Sequence, residues 1–151
     1  MNAPLDFDRV DFTSFMSVEA EMSVVGGLLL DNSAIDKIDM LKPEHFATDI
    51  NRRLFNVIFE MISAGKNVDV VTMFEFLQRK GKLDEVGGMA YLNDLVTSVS
   101  SSALIGRYAE IIIDKHKLRV VRDANNEIGV VIAQDGVTGD EALTKAAEVL
   151  A

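Results

Sequence analysis

The sequence predicts an all-α protein, in which a globular helical head is followed by a protruding αα-hairpin. Three observations predict this fold. Apolar residues recur every three or four positions, and turn residues separate these periodic segments. One segment near the C-terminus would form a helix longer than the globular head is wide. The β-branched runs at 68–71 and 130–132 are brief and adjoin helical patterns, so no strand is predicted.

Length and composition bound the class of protein. The 151 residues fit one domain, and 48% of them are hydrophobic, which is enough to fill a core. The absence of cysteine excludes disulfides, thiolate catalysis and cysteine-ligated zinc, and favours a cytosolic origin. The N-terminus lacks a signal-peptide pattern, and no apolar run reaches the roughly 18 residues of a membrane span. The net charge of −9 argues against tight binding of DNA phosphates by the domain alone.

The chain is predicted to begin with an acidic arm over residues 1–16, followed by the first helix. Ser17 is the expected N-cap of this helix. Gly26 and Gly27 interrupt it at a cost of roughly 1 kcal/mol each relative to alanine. Paired glycines at such a cost indicate that another backbone approaches closely. The predicted apolar face comprises Val18, Met22, Val25 and Leu29.

Further caps and turns predict the rest of the head, which extends over residues 17–100. Either Thr72, with Glu75 at capping-box spacing, or Asp69 is expected to begin the helix that Gly81 ends. The other predicted elements are a short helix over 33–40, a helical turn at 43–46, a helix that Asp49 caps and that runs to about Ala64, and a helix after Gly87-Gly88.

Residues 101–151 are predicted to form the hairpin. Between 103 and 134 there is no proline and there are only two glycines. A helix of this extent is roughly 45–50 Å long, which exceeds the width of a domain of about 100 residues. Its far end therefore has to project and needs a partner. The near-heptad positions along it are Leu104, Tyr108, Ile111, Lys115, Leu118, Val121, Asn125, Ile128 and Ile132.

The hairpin is predicted to turn at Asp135-Gly136. Thr138 and Glu141 have capping-box spacing and open the last helix. Its predicted apolar face comprises Leu143, Ala146, Ala147 and Leu150.

No catalytic, cofactor-binding or metal site is predicted. His45 and His116 have no metal-binding pattern around them, and no glycine-rich phosphate-binding motif is present. Both glycine pairs are interpreted as packing or turn glycines. A basic run on the long helix is either its solvated outer face or a contact for a partner or nucleic acid. Its members are Lys115, Lys117, Arg119 and Arg122.

Five sequence blocks occur in a characteristic order. They read E-A-E-x-S-V-x-G-G-L-L-L-D-N, R-L-F after Phe46, G-K-x-V-D-x-V-T, L-x(3)-G-x-L-x-E-V-G-G-x-A-Y-L and Y-A-E-I-I, at 19–32, 53–55, 65–72, 77–92 and 108–112. From about residue 18 to the C-terminus the chain resembles the N-terminal domain of the DnaB family of replicative DNA helicases. The segment 141–150 resembles the stretch before that family's motor domain.

The resemblance implies a function for the whole protein. Members are ring hexamers that unwind DNA 5′→3′ with ATP and Mg, and that bind DNA mainly through the motor domain. Their helical hairpins pair neighbouring subunits into a trimer-of-dimers collar that recruits primase or, in some phage systems, a helicase loader. A cytoplasmic location in a bacterium is implied, with a chromosomal, phage or plasmid gene. The motor residues are expected to lie beyond this chain, and Ala47 replaces an aromatic residue of many relatives.

The function predicted is a non-catalytic collar domain for subunit assembly and for docking of primase or loader. A stand-alone helical adaptor that regulates helicase loading or priming stays open as an alternative, as does a small helical enzyme. No membrane partner is expected. The predicted oligomer interface on the hairpin comprises Leu104, Tyr108, Ile111, Ile112, Leu118, Val121, Ile128 and Ile132.

Overall fold

The structure, a computed structural model, describes residues 15–151. Nearly all of the predicted acidic arm therefore lies outside the described residues. Within 15–151 there are helices and no strand, which confirms the all-α prediction. The α-helices are α1 (Val18–Leu30), α2 (Asp49–Ser63), α3 (Val70–Arg79), α4 (Gly88–Thr97), α5 (Ile105–Ile132) and α6 (Gly139–Leu150). Short 3₁₀ turns span Asn32–Lys37, Pro43–His45 and Asp84–Val86.

Helix α1 is the central element of the head. The Ser17 hydroxyl accepts a hydrogen bond from the backbone N–H of Ala20 at 3.2 Å, which confirms the predicted N-cap. The helix packs against α2, α4 and α5. The apolar face predicted for α1 is incomplete, because Val24 and Leu28 are as fully buried as Val25. A helix that is surrounded by others buries apolar residues on several sides.

Gly26 marks the closest approach between α1 and α4. A methyl group added at this position would overlap the backbone carbonyl of Leu95 and would lie 3.0 Å from the Val99 side chain. The close backbone approach predicted from the glycine pair is therefore confirmed at Gly26. Only a residue without a β-carbon allows the two helices to pack at this distance.

Polar side chains fix the ends of the head helices. Thr48, and not the predicted Asp49, is the N-cap of α2, and Asp49 pairs instead with Arg52 and Arg53 within the first turns. Asp69 caps α3, with reciprocal hydrogen bonds between Asp69 and Thr72. Of the two predicted caps for α3, the structure therefore selects Asp69.

The core of the head continues into the first half of α5. Ile105, Ala109 and Ile112 are at most 2% exposed and belong to the same apolar cluster as the residues of α1. The 28 residues of α5 extend about 42 Å at 1.5 Å per residue. The start of the segment predicted as hairpin thus packs in the head, and its second half continues beyond the core.

Helix α6 returns along the second half of α5. Thr138 and Glu141 form the predicted capping box at its start. The residues predicted to share the apolar face of α6 do not all lie against α5, since Leu143 and Leu150 are 72% and 70% exposed. The half-buried residues of α6 include Ala142, Ala146 and Val149, which recur at helical spacing. Small alanine side chains allow α6 to lie close to α5, which leaves the two leucines on an outer side.

Candidate interaction surface

A row of exposed apolar side chains follows α5, and two further exposed leucines lie on α6. We call this set the hairpin surface. Its residues on α5 are separated by 7, 7, 3 and 11 positions, which keeps them on one side of a helix. The exposed fraction ranges from 40% at Ile111 to 72% at Leu143. The hairpin surface comprises Leu104 at the N-cap of α5, Ile111, Leu118, Val121 and Ile132 of α5, and Leu143 and Leu150 of α6.

A second row of residues on α5 faces the head. It begins with Ile105, Ala109 and Ile112, and continues at the same helical spacing with the half-buried His116 and Arg119. Helix α5 thus carries two rows, of which only the head-facing row is covered within one chain. Sequence periodicity detected the other row, because the head-facing row ends in polar residues.

The structure corrects the predicted interface at one position. Ile112 is 2% exposed in the core of the head, so it is not available to another subunit. Tyr108 and Ile128 are half-buried, and Tyr108 packs against the core. The predicted residues that remain exposed are Leu104, Ile111, Leu118, Val121 and Ile132.

The predicted basic run does not form one continuous exposed patch. Arg119 donates hydrogen bonds to the backbone carbonyls of Phe15 at 2.7 Å and His45 at 2.8 Å. The prediction that Arg119 contacts a partner or nucleic acid is therefore corrected, because its guanidinium binds the head. Arg122 lies 5.3 Å from the Phe15 ring centroid and pairs with Asp123 at 3.0 Å. Lys117 is exposed, and Lys115 is half-buried.

Two histidines meet where α5 leaves the head. The ring centroids of His45 and His116 are 4.9 Å apart, with 58° between the ring planes. The Nδ1 atom of His45 accepts a hydrogen bond from the backbone N–H of Lys42 at 3.0 Å. Burial and the neighbouring His116 lower the pKa of His45. Together with Arg119, these two rings form a polar cluster that we call the junction.

Glu21 is a buried carboxylate inside the head. Only 1% of the residue is exposed, and its oxygens accept hydrogen bonds from the backbone N–H groups of Ala47 and Thr48 and from the Thr48 hydroxyl. This places a negative charge at the N-terminus of α2, where the helix dipole favours an anion. Sequence reasoning missed this role, although a glutamate between buried apolar positions of α1 was the available signal.

Asn32 joins the end of α1 to the connector before α3. Its amide group donates to the carbonyls of Leu28 at 2.8 Å and Val68 at 2.7 Å, and its side-chain oxygen accepts from the Val68 N–H at 2.8 Å. All its strong contacts are thus with backbone groups of the head. The hydrogen bonds of Glu21 and Asn32 thus support the fold of the head, and the exposed apolar surface lies on the hairpin.

The part of the chain that the structure describes holds no cluster of three or more His, Cys, Asp or Glu side chains suited to a metal ion. Over the same residues, no helix is both long and apolar enough to cross a membrane.

Comparison with known proteins identifies the family. The sequence model described as "DnaB-like helicase N terminal domain" matches residues 14–114. The chain belongs to this family. The replicative DNA helicase DnaB of Geobacillus stearothermophilus is 34% identical over 127 residues, which cover 83% of this chain and 27% of that protein. The corresponding helicase of Buchnera aphidicola is 34% identical over 132 residues, which cover 86% of this chain and 28% of that protein.

Solved structures agree with this membership. The crystal structure of the N-terminal domain of DnaB helicase from Mycobacterium tuberculosis superposes with a TM-score of 0.80 and 30% identity, covering 89% of this chain and 96% of that chain. A DnaB-like replicative helicase, described with its interactions with primase, shares the fold with a TM-score of 0.66 and 23% identity over 87% of this chain and 30% of that chain. The chain spans about a quarter of the length of the curated DnaB relatives.

Proposed function

We propose that this chain is the non-catalytic collar domain of a replicative DNA helicase, and that it assembles with other copies through the hairpin surface. The single observation that carries the proposal is the row of large apolar residues on α5 that one chain leaves exposed. Apolar residues at every seventh position, such as Leu104, Ile111 and Leu118, are typical of helices that pair with another helix. Membership of the DnaB-like family supports the same proposal.

The energetics favour pairing through this surface. Complete burial of one large aliphatic side chain is worth about 1.5–3 kcal/mol. Val121 is 64% exposed and Ile132 is 63% exposed, so most of that gain is still available to an interface. Several such side chains from each copy are enough to offset the rotational and translational cost of association, which is on the order of 4–15 kcal/mol.

Two adjacent substitutions separate assembly from folding. Ile111 is exposed and Ile112 lies in the core, although they are neighbours on one helix. We expect Ile111→Asp to weaken self-association while the helical content and thermal unfolding of the head stay close to wild type. Ile112→Asp should unfold the head, because it buries a charge without a partner. Circular dichroism and light scattering on the same samples measure both effects.

Either of two results would contradict the proposed interface. One is unchanged association of a folded Ile111→Asp variant. The other is loss of the folded head in Ile111→Asp itself, which would place Ile111 in the core.

The partners and the oligomer belong to the same proposal. We propose a dimer as the unit of assembly, and a trimer of dimers in the hexamer of the whole protein. The collar would dock primase or a helicase loader in the bacterial cytoplasm. The helicase activity, with ATP and Mg, and most DNA contacts would reside in the motor domain of the whole protein. The primase interaction named for one structural neighbour supports primase as the first partner to test.

A stand-alone adaptor that regulates helicase loading or priming is the second candidate. It would use the same exposed hairpin surface to bind a helicase collar. The gene distinguishes the two functions, because a helicase reading frame contains a G-x-x-x-x-G-K-[ST] phosphate-binding segment after this domain. Binding of single-stranded DNA through Lys115 and Lys117 is tested by its salt dependence, since phosphate contacts weaken steeply with added salt.

A further inference from the structure

We propose that the junction of His45, His116 and Arg119 is a proton-sensitive latch that fixes the direction in which the hairpin leaves the head. The latch would hold at neutral pH and open when the His45 imidazole becomes protonated. It acts within one chain, so it goes beyond the assembly proposed above and does not depend on it.

Arg119 fixes α5 to the head in this latch. It lies near the middle of α5, beyond the last α5 residue in the core of the head, Ile112. Its guanidinium joins two separate segments of the head, because it donates to the carbonyl of Phe15 before α1 and to the carbonyl of His45 in the Pro43–His45 turn. Two bonds from one planar group restrict rotation of α5 more than one bond would.

His45 makes the Arg119 contact depend on the protonation of an imidazole. Its carbonyl accepts from Arg119, while its Nδ1 accepts from the Lys42 N–H. An imidazole that accepts at Nδ1 is neutral and carries its proton on Nε2. Protonation of Nδ1 removes this acceptor and so releases the turn that presents the carbonyl to Arg119.

The charges around His45 make the protonated state unfavourable. On α5, His116 and Arg119 face it, and both lower its pKa, as does Lys42 beside the turn. Glu44 in the turn is the opposing carboxylate. In α2, which also packs on the turn, Asp49 accepts from Arg52 and Arg53. Glu21 of α1 favours the charged form of Arg119.

Protonation of His45 would therefore place an imidazolium beside the Arg119 guanidinium and 4.9 Å from the ring of His116. Like charges repel one another most strongly where the surroundings are partly desolvated. The repulsion acts between the Pro43–His45 turn and α5, which are the two sides that Arg119 holds together. Release of this contact would let the second half of α5, with α6, change its angle to the head.

Distance measurements between the head and the hairpin turn test the latch. The sequence contains no cysteine, so spin labels at Gln78→Cys on α3 and Gln134→Cys after α5 attach only where intended. Labelled chain is diluted into an excess of unlabelled chain, so that distances are measured within one copy. Samples at pH about 7.5 and about 5 bracket the ordinary pKa of histidine.

We expect the wild-type distance distribution to be narrow at neutral pH and to broaden at acid pH. Arg119→Met should be broad at both pH values. The double variant His45→Asn, His116→Gln should stay narrow at both, because asparagine and glutamine retain an acceptor without titrating. An unchanged wild-type distribution, a narrow Arg119→Met distribution, or a double variant that responds to pH like wild type would overturn the proposal.

Histidine titration by NMR gives a second readout, which reports the surroundings of the His45 ring directly. Arg119→Met should raise the titration midpoint of His45, because it removes a neighbouring cation. Arg107→Met is the matched control, since Arg107 is an exposed arginine on the same helix and pairs with Glu110. An equal shift in both variants, or no shift in Arg119→Met, would contradict the latch.

Discussion

Glu21 shows how one residue organises the head. Its carboxylate receives three hydrogen bonds from Ala47 and Thr48, and so it joins α1 to the start of α2. A buried carboxylate is tolerated only where donors surround it, because an unpaired one is strongly destabilising. Composition and periodicity assign such a glutamate to a helix surface. Its three donors come from a distant segment, so its role could not be predicted from the sequence alone.

The first prediction concerns this carboxylate. Glu21→Gln keeps the shape of the side chain but turns one acceptor into a donor that faces backbone N–H groups. We expect the free energy of unfolding to fall by about 1.5–3 kcal/mol, the range for a lost hydrogen bond to a charged group. Urea denaturation measures the change. Glu19→Gln is the control, since Glu19 is an exposed neighbour on the same helix. Equal stability of the two variants would show that the Glu21 contacts contribute little.

The second prediction concerns His45 and pH. Its pKa in the folded state lies below the ordinary value of 6.5, through burial and the neighbouring His116. The unfolded state therefore takes up the proton first as the pH falls. The contribution of His45 to stability is complete above pH 6.5 and is lost as the pH falls from there through the folded pKa.

Urea denaturation between pH 8 and pH 5, flanking the ordinary histidine pKa of about 6.5, measures this loss. His45→Asn should lose less stability over that range than wild type. Parallel curves for the two proteins would contradict the assigned shift.

At the scale of the elements, local signals located most helices well. Ser17, the Thr138–Glu141 capping box and Gly81 were predicted from sequence, because each acts through bonds within a few residues. Errors arose where tertiary contacts decide the outcome. The predicted apolar face of α6 did not show which of its residues lie against α5, because alanines and not leucines are covered there. The Asn32–Lys37 segment forms a 3₁₀ turn that ends before the predicted short helix over 33–40 does.

Helix α5 explains why the predicted interface mixed buried and exposed residues. Two rows of residues run side by side along its first half, and the sequence does not say which row the head covers. The head covers Ile105, Ala109 and Ile112, and leaves Leu104 and Ile111 exposed. The role of Arg119 in binding the head also required the position of the Pro43–His45 turn, which is distant in sequence.

The third prediction compares two glycines in helices. Gly26→Ala should destabilise the head by about 1–3 kcal/mol, because the new methyl group overlaps the Leu95 carbonyl on a rigid backbone. Gly129→Ala on α5 meets no atom within 4 Å and should stabilise by up to about 1 kcal/mol through helix propensity. Thermal unfolding of both variants measures the difference. A Gly26→Ala protein as stable as wild type would rule out the tight packing of α1 on α4.

At the scale of the whole molecule, the residues that stabilise the fold and the residues that are free to bind another molecule lie in different parts of the chain. The head contains the core and its polar bonds, and the hairpin extends an exposed apolar row away from it. A monomer seldom exposes so many large aliphatic side chains on one projecting element without a partner. The junction lies between these two parts, where Arg119 binds the head and α5 continues beyond it. The direction of the hairpin then determines how two copies can meet.

The most direct test of the central claim is sedimentation velocity of the wild-type chain over a concentration series, with Val121→Asp beside it. Val121 is 64% exposed on the hairpin surface, so the substitution leaves the core intact. We predict that the wild-type sedimentation coefficient rises with concentration to that of a dimer or larger species, while Val121→Asp stays close to the monomer. A wild-type chain that remains monomeric at high micromolar concentration would contradict the account.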